Sequence, residues 1–322
     1  MTPTADVPIF ILGLHRSGTT LLYELLAASG CFSIVTARHV VDADALFLGD
    51  GRPSTSGFAA LRRLASLGLS NRDVEAVRVG PDTPEEYGFL LDRRHAGFTL
   101  TAGNAHVFRR LCEAIRSRDP ERRLLLLKNP WDFGHADRIR RLIPGARFVF
   151  IHRNPLHVLS STLRFIANWG THPNAYLALL SDRYRSFAQS EFPLRAARWL
   201  CAHARGPLLN AILGYDAMQT RGYLRSRATL GPDAAIDVRY EDLCADANGT
   251  IGAILHGMGV SSAPINYAAM IGPSASRPAP EALARRARIL RAFGKYAAAV
   301  GYDLQELLEA ASRRDDPREA AP

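Results

Sequence analysis

The stretch VPIFILGLHRSGTTLLYELLAASG, residues 7–30, constrains the fold of this chain more than any other. Val7 to Leu12 is a short apolar run ended by Gly13, the pattern of a strand buried on both faces of a parallel sheet. From Gly18 to Ser29, Leu21, Leu22, Leu25 and Leu26 share one helical face, and Gly30 stands as a C-terminal stop. Between strand and helix lies Gly13-Leu14-His15-Arg16-Ser17-Gly18-Thr19-Thr20, with G-x-x-x-x-G spacing. Glycines let a backbone curl until its N–H groups converge on an anion, and a helix starting there adds its positive end. A nucleotide-hydrolysing phosphate loop carries Lys directly after the second glycine, then Ser or Thr for magnesium. Here Thr19 takes the place of that Lys, and the cation comes earlier, as Arg16. A plain strand–turn–helix shares this outline, but the run of phosphate-compatible side chains favours an anion cradle.

The rest of the chain repeats the alternation. Leu124–Leu127, Ala146–His152 and Ile236–Tyr240 read as further strands, and helical patterns fall around 58–68, 84–95, 104–117, 136–142 and 246–257. Another helix starts at Pro155, with Pro at its first position and Asn154 as N-cap. Residues 175–222 read as largely helical, broken near Pro193 and Pro207, and 281–299 as an Arg-rich helix. The segment 272–280 (GPSASRPAP) reads as a loop. Strands alternating with helices predict an α/β fold, a P-loop-type parallel sheet flanked by helices on both faces. No repeat or linker divides it, so a single domain over 1–312 is expected, followed by a disordered tail at 313–322. In such sheets ligands sit beyond the carboxyl ends of the strands, so the loops after Leu12, Leu127, Ile151 and Val238 should share one rim.

Composition narrows the partners. Of 322 residues 47% are hydrophobic, ample for a core, and the net charge of +9 suits an anionic ligand. No basic stripe with interleaved aromatics points to nucleic acid. Nowhere do eighteen apolar residues run together, so no membrane span is expected. Residues 1–13 lack a basic n-region and a long apolar core, so no signal peptide is expected either. Cys31, Cys112, Cys201 and Cys244 form no C-x-x-C pair, which argues against a metal or redox site and for free thiols in a cytoplasmic protein.

Two other rim positions carry chemistry. Arg153 ends a strand and Ser161 lies two helical turns beyond it; an arginine fork and a hydroxyl can together hold a phosphate. Lys128 also ends a strand. It and Lys295 are the only lysines among 40 basic residues, and Lys offers a compact charge that can give up a proton, which Arg cannot.

With these residues in place, the chain resembles the PAPS-dependent sulfotransferases, where PAPS is 3′-phosphoadenosine-5′-phosphosulfate, and in particular the bacterial branch whose first motif reads R-S-G-T-T. The similarity runs in pieces from about residue 7 to 260: FILGLHRSGTTLL, PEEYGFLL at 84–91, LLKNPWDFG at 126–134, ARFVFIHRNPLHVLSS at 146–161 and VRYEDL at 238–243. The resemblance implies that Arg16, Ser17, Gly18, Thr19 and Thr20 bind the 5′-phosphosulfate end, and that Arg153 and Ser161 hold the 3′-phosphate. It puts Tyr240 near the adenine, Lys128 at the sulfuryl group and Arg277 as a second 3′-phosphate ligand. It implies in-line transfer to an acceptor hydroxyl on a small molecule or carbohydrate, with PAPS as co-substrate, no metal, and Arg16 and Lys128 stabilising the leaving charge.

The acceptor also needs a base. Many relatives carry a glutamate soon after the first helix or a histidine just after the Lys128 position; this chain reads SIVTARHVVDAD and KNPWDFG there. The candidates are Glu86, His39 and Asp132, with Glu85 behind them. Trp131, Phe133, Phe165 and Trp169 are candidates for aromatic pocket walls. Two other readings stay open: a non-catalytic or repurposed member of the fold, and a P-loop kinase.

Overall fold

A computed structural model describes residues 8–48, 59, 61–62, 79–119, 121, 124–171, 174–272 and 278–314. Five strands form one parallel sheet: β1 (Ile9–Leu12), β2 (Phe32–Ile34), β3 (Leu124–Lys128), β4 (Arg147–His152) and β5 (Ala235–Arg239). Their order is β2-β3-β1-β4-β5. Central β1 pairs Ile9 with Leu126 of β3 on one side and with Arg147 of β4 on the other. The short strand β2 has no counterpart among the sequence expectations, because three residues carry too little pattern to read.

The alternation of the central strands explains their unbroken apolar character. Phe10, Leu12, Leu125, Leu127, Phe148 and Phe150 face one core. Ile9, Ile11, Leu126, Val149 and Ile151 face the other. On the second face Leu22, Leu25 and Leu26 of α1 (Thr19–Ala28) pack with Ile251 and Ile254 of the helix Ala247–Gly257. Each such leucine contributes about 2 kcal/mol by burial. On the first face lie Phe108 and Leu111 of Ala105–Ser117, Leu156 and Leu159 of Pro155–Thr171, Leu209 and Tyr223 of Arg205–Thr229, and Phe293 of Arg286–Ala299. Helices therefore cover both faces, as the sequence predicts.

Helix boundaries follow local chemistry. The N–H of Leu156 donates to Asn154 Oδ1 at 2.9 Å, so Asn154 caps Pro155–Thr171. The expected breaks fall just before the prolines rather than at them: helices run Glu191–His203 and Arg205–Thr229, so Pro193 and Pro207 sit in first turns. There a missing N–H costs no intrahelical bond. The predicted helix around 58–68 lies almost wholly outside the described residues. The final helix Leu304–Arg314 extends two residues into the expected tail, and 315–322 lie outside the described residues.

Candidate active site

The loop after β1 is shaped by two left-handed residues, Arg16 (φ 70°) and Gly18 (φ 99°). A non-glycine residue held there is uncommon and needs a surrounding structure that enforces it. The Ser17 N–H donates to Leu14 O at 3.1 Å, and the Leu22 N–H to Gly18 O at 3.0 Å, which joins the loop to α1. Gly18 is required twice over: a Cβ there would lie 2.4 Å from the Tyr240 ring. Ser17 is buried, and its Oγ has no hydrogen-bond partner among the described residues. A buried hydroxyl of this kind, inside a loop curled at a helix start, fits an anionic oxygen.

Arg153 and Ser161 come to this loop. Arg16 Nε donates to Ser161 Oγ at 3.1 Å, and the Arg153 guanidinium donates to the Arg16 carbonyl at 3.2 Å. The Arg153 guanidinium carbon stands 4.1 Å from the centre of the Tyr240 ring, a close cation–π contact. Tyr240 opens the helix Tyr240–Ala245 immediately after β5. Three strand ends thus place Arg16, Ser17, Gly18, Arg153, Ser161 and Tyr240 in one cluster.

A fourth strand end brings Lys128. Its side chain is fully buried, and Nζ donates to Thr20 Oγ1 at 3.0 Å. Glu86 Oε1 lies 3.4 Å from the same Nζ. An ammonium can be buried only with such partners. The two glutamates of the PEE segment divide. Glu85 is fully buried and accepts the Tyr176 hydroxyl at 2.5 Å. Glu86 keeps 14% of its side chain exposed, so it is the carboxylate that both touches Lys128 and meets solvent.

The remaining base candidates are engaged elsewhere. Asp132 is a buried hub: Oδ2 accepts the Tyr87 hydroxyl (2.5 Å), the Leu100 N–H (3.0 Å) and Asn129 Nδ2 (2.9 Å), and Oδ1 accepts Arg138 (3.1 Å). Burial pushes its carboxyl up, against the pull of these donors. His39 Nδ1 accepts the Thr36 N–H at 3.2 Å in a capping box, and burial with Arg118 and Arg38 pushes its pKa down to about 4. Arg277 and the side chain of Trp169 lie outside the described residues. Of the aromatic candidates, Phe133 is core, Phe165 lies 5.8 Å from the Arg16 guanidinium, and Trp131 is 36% exposed. Sequence reasoning missed His15, whose ring meets Trp131 edge-on at 4.5 Å; the Phe98 ring also approaches Trp131, at 5.6 Å. Its place inside the phosphate loop was the available signal. Among the described residues no three His, Cys, Asp or Glu are grouped to hold a metal, and no helix is long and apolar enough to cross a membrane.

The solved structures similar to this chain include sulfotransferase STF9 from Mycobacterium avium, at 15% identity and a TM-score of 0.62, covering 94% of this chain and 78% of that one. Sulfotransferase STF1 from Mycobacterium tuberculosis H37Rv matches at 16% identity and a TM-score of 0.53, covering 96% and 77%. At these identities the likeness shows the fold. No curated protein matches the sequence. The model of the sulfotransferase family matches residues 8–264, a span holding the phosphate loop, Glu86, Lys128, Arg153, Ser161 and Tyr240, and the chain belongs to that family.

Proposed function

We propose that this protein moves a sulfuryl group from PAPS to a hydroxyl of a small-molecule or carbohydrate acceptor. The observation that carries this reading is the Lys128–Glu86 pair beside the phosphate loop. PAPS supplies an activated sulfuryl group, whose transfer forms an acceptor O–S bond and breaks the S–O bond to the 5′-phosphate. The loop from Arg16 to Thr20 holds the phosphosulfate end, and the buried Ser17 hydroxyl is a fitting contact for it. Arg153 and Ser161 hold the 3′-phosphate, and the Tyr240 ring borders the adenine. Glu86 takes the proton of the acceptor hydroxyl. Lys128 and Arg16 stabilise the negative charge on the departing phosphate oxygen, an effect of about 10²–10³ in rate per donor. Trp131, partly exposed and packed with His15 and Phe98, borders the acceptor space.

The test pairs binding with turnover. The protein should bind 3′,5′-bisphosphoadenosine at micromolar concentration and consume PAPS with a panel of hydroxyl acceptors. Lys128→Ala should lower kcat by about 10²–10³ while changing the nucleotide Kd much less. Glu86→Gln should lower kcat by about 10²-fold or more without weakening nucleotide binding. Binding with no turnover on any acceptor supports a repurposed binding protein instead. No nucleotide binding below about millimolar defeats the sulfotransferase reading.

A further inference from the structure

The family match ends at residue 264, yet the chain beyond it is tied to the chain neighbours of Arg153, Ser161 and Tyr240. The Ala279 N–H donates to Ser160 Oγ at 2.7 Å, one residue before Ser161. The Tyr302 hydroxyl reaches the His152 carbonyl at 3.3 Å, one residue before Arg153. Its one proton goes to the nearer acceptor, Glu241 Oε2, while Glu241 Oε1 accepts the Asn154 N–H at 3.1 Å, one residue after Arg153. Arg239 donates to the Gly301 carbonyl at 3.2 Å and lies over the Tyr302 ring at 4.5 Å. Arg239 and Glu241 are the two chain neighbours of Tyr240. Tyr302 itself is buried, and burial and the Glu241 carboxylate keep its hydroxyl protonated and so a donor.

We propose that Tyr302, through Glu241, is a positioning residue that fixes the backbone just after Arg153 and so sets the grip on the 3′-phosphate. The arginine must present its guanidinium to a phosphate in one geometry, and its side chain is long enough to miss by an ångström if its Cα drifts. The only backbone groups that fix that Cα directly are those of residues 152 to 154. One hydroxyl holds the Glu241 carboxylate, and that carboxylate holds the Asn154 N–H. The same carboxylate's chain neighbour is Tyr240, whose ring packs on the Arg153 guanidinium, so ring and arginine share one bracket. A tie of this kind alters binding of one phosphate without altering the phosphosulfate loop.

This inference rests on the nucleotide assignment above, and the experiment separates the two. Calorimetric titration compares 3′,5′-bisphosphoadenosine with adenosine 5′-monophosphate, which lacks the 3′-phosphate. The unmodified protein should prefer the bisphosphate. Tyr302→Phe should weaken bisphosphate binding about tenfold and leave monophosphate binding within about twofold, so that the preference for the 3′-phosphate falls about tenfold. A residue with a merely structural role would lower the melting temperature and weaken both ligands alike, and an unchanged preference overturns the proposal. If Tyr302→Phe does not fold, Glu241→Gln, which keeps an oxygen for the Asn154 N–H but loses the charge facing Tyr302, is titrated in the same way. A preference reduced severalfold supports the bracket, and one equal to that of the unmodified protein overturns it. If the unmodified protein binds neither nucleotide, the proposed function itself falls.

Discussion

Gly18 shows how little freedom the site allows a single residue. Its φ of 99° strains any L side chain, and a methyl group there would lie 2.4 Å from a carbon of the Tyr240 ring. Gly18→Ala must therefore push Tyr240 off the Arg153 guanidinium or distort the loop. The expected outcome is a stability loss of about 1–3 kcal/mol in urea unfolding and bisphosphate binding weakened at least tenfold. Normal binding by a destabilised variant would show that the Tyr240–Arg153 stack is not part of the grip. Lys128 makes the complementary point. In a chain whose other cations are almost all arginine, its compact ammonium sits among Thr20, Glu86 and the Tyr23 ring.

Among elements, the turn Pro130–His135 does more structural work than its motif reveals. Asp132 joins the Tyr87–Arg93 helix and the loop at Leu100 to this turn. Gly134 lets it press on Arg205–Thr229: the Gly134 N–H donates to Gln219 Oε1 at 2.9 Å, and a Cβ would meet the Gln219 carbonyl oxygen at the same distance. Asp132→Ala leaves four donors facing an apolar hole, so it should cost about 3–5 kcal/mol in chemical unfolding. At low temperature the folded protein should still bind bisphosphate normally. A stable variant that loses only turnover would make Asp132 the base instead. The elements that carry the phosphate site were legible because the strand before each loop is a strongly apolar run and each loop keeps its chemistry within a few residues. Glu86 and Lys128, 42 positions apart, were not readable as a pair. Nothing in a one-dimensional pattern tells which of Glu85 and Glu86 turns inward; the Tyr176 hydroxyl decides that, from another helix. His39 and Asp132 had the right chemistry for a base, and local capping and burial claimed them.

At the scale of the whole molecule, stability should depend on one buried acid, Asp216. Asp216, in the long helix Arg205–Thr229, is buried, and its Oδ2 has no partner among the described residues. Burial pushes its pKa up to about 7. The unfolded chain releases this proton near pH 4, whereas the folded chain keeps it to about pH 7. Between these values the native state binds the extra proton, so this contribution falls as pH rises and is fully lost above about pH 7. The loss is on the order of 4 kcal/mol. Asp216→Asn should therefore gain on the unmodified protein between pH 5 and pH 8 in urea unfolding. A difference between the two that is the same at both pH values would show that Asp216 ionises normally.

The contacts that close the rim join residues far apart in the chain: Arg16 to Ser161, 145 positions away, and His152 to Tyr302, 150 positions away. Assembly of the rim is thus ordered by synthesis as well as by folding. A ribosome that has released residue 264 has already delivered every residue matched by the family, including both halves of the Lys128–Glu86 pair. The nascent chain at that moment still lacks the hydroxyl that donates to Glu241. If the proposed nucleotide site and the Tyr302 tie hold, full-strength capture of a bisphosphate nucleotide would mark the last stretch of translation, beginning when residue 302 folds back beside β4.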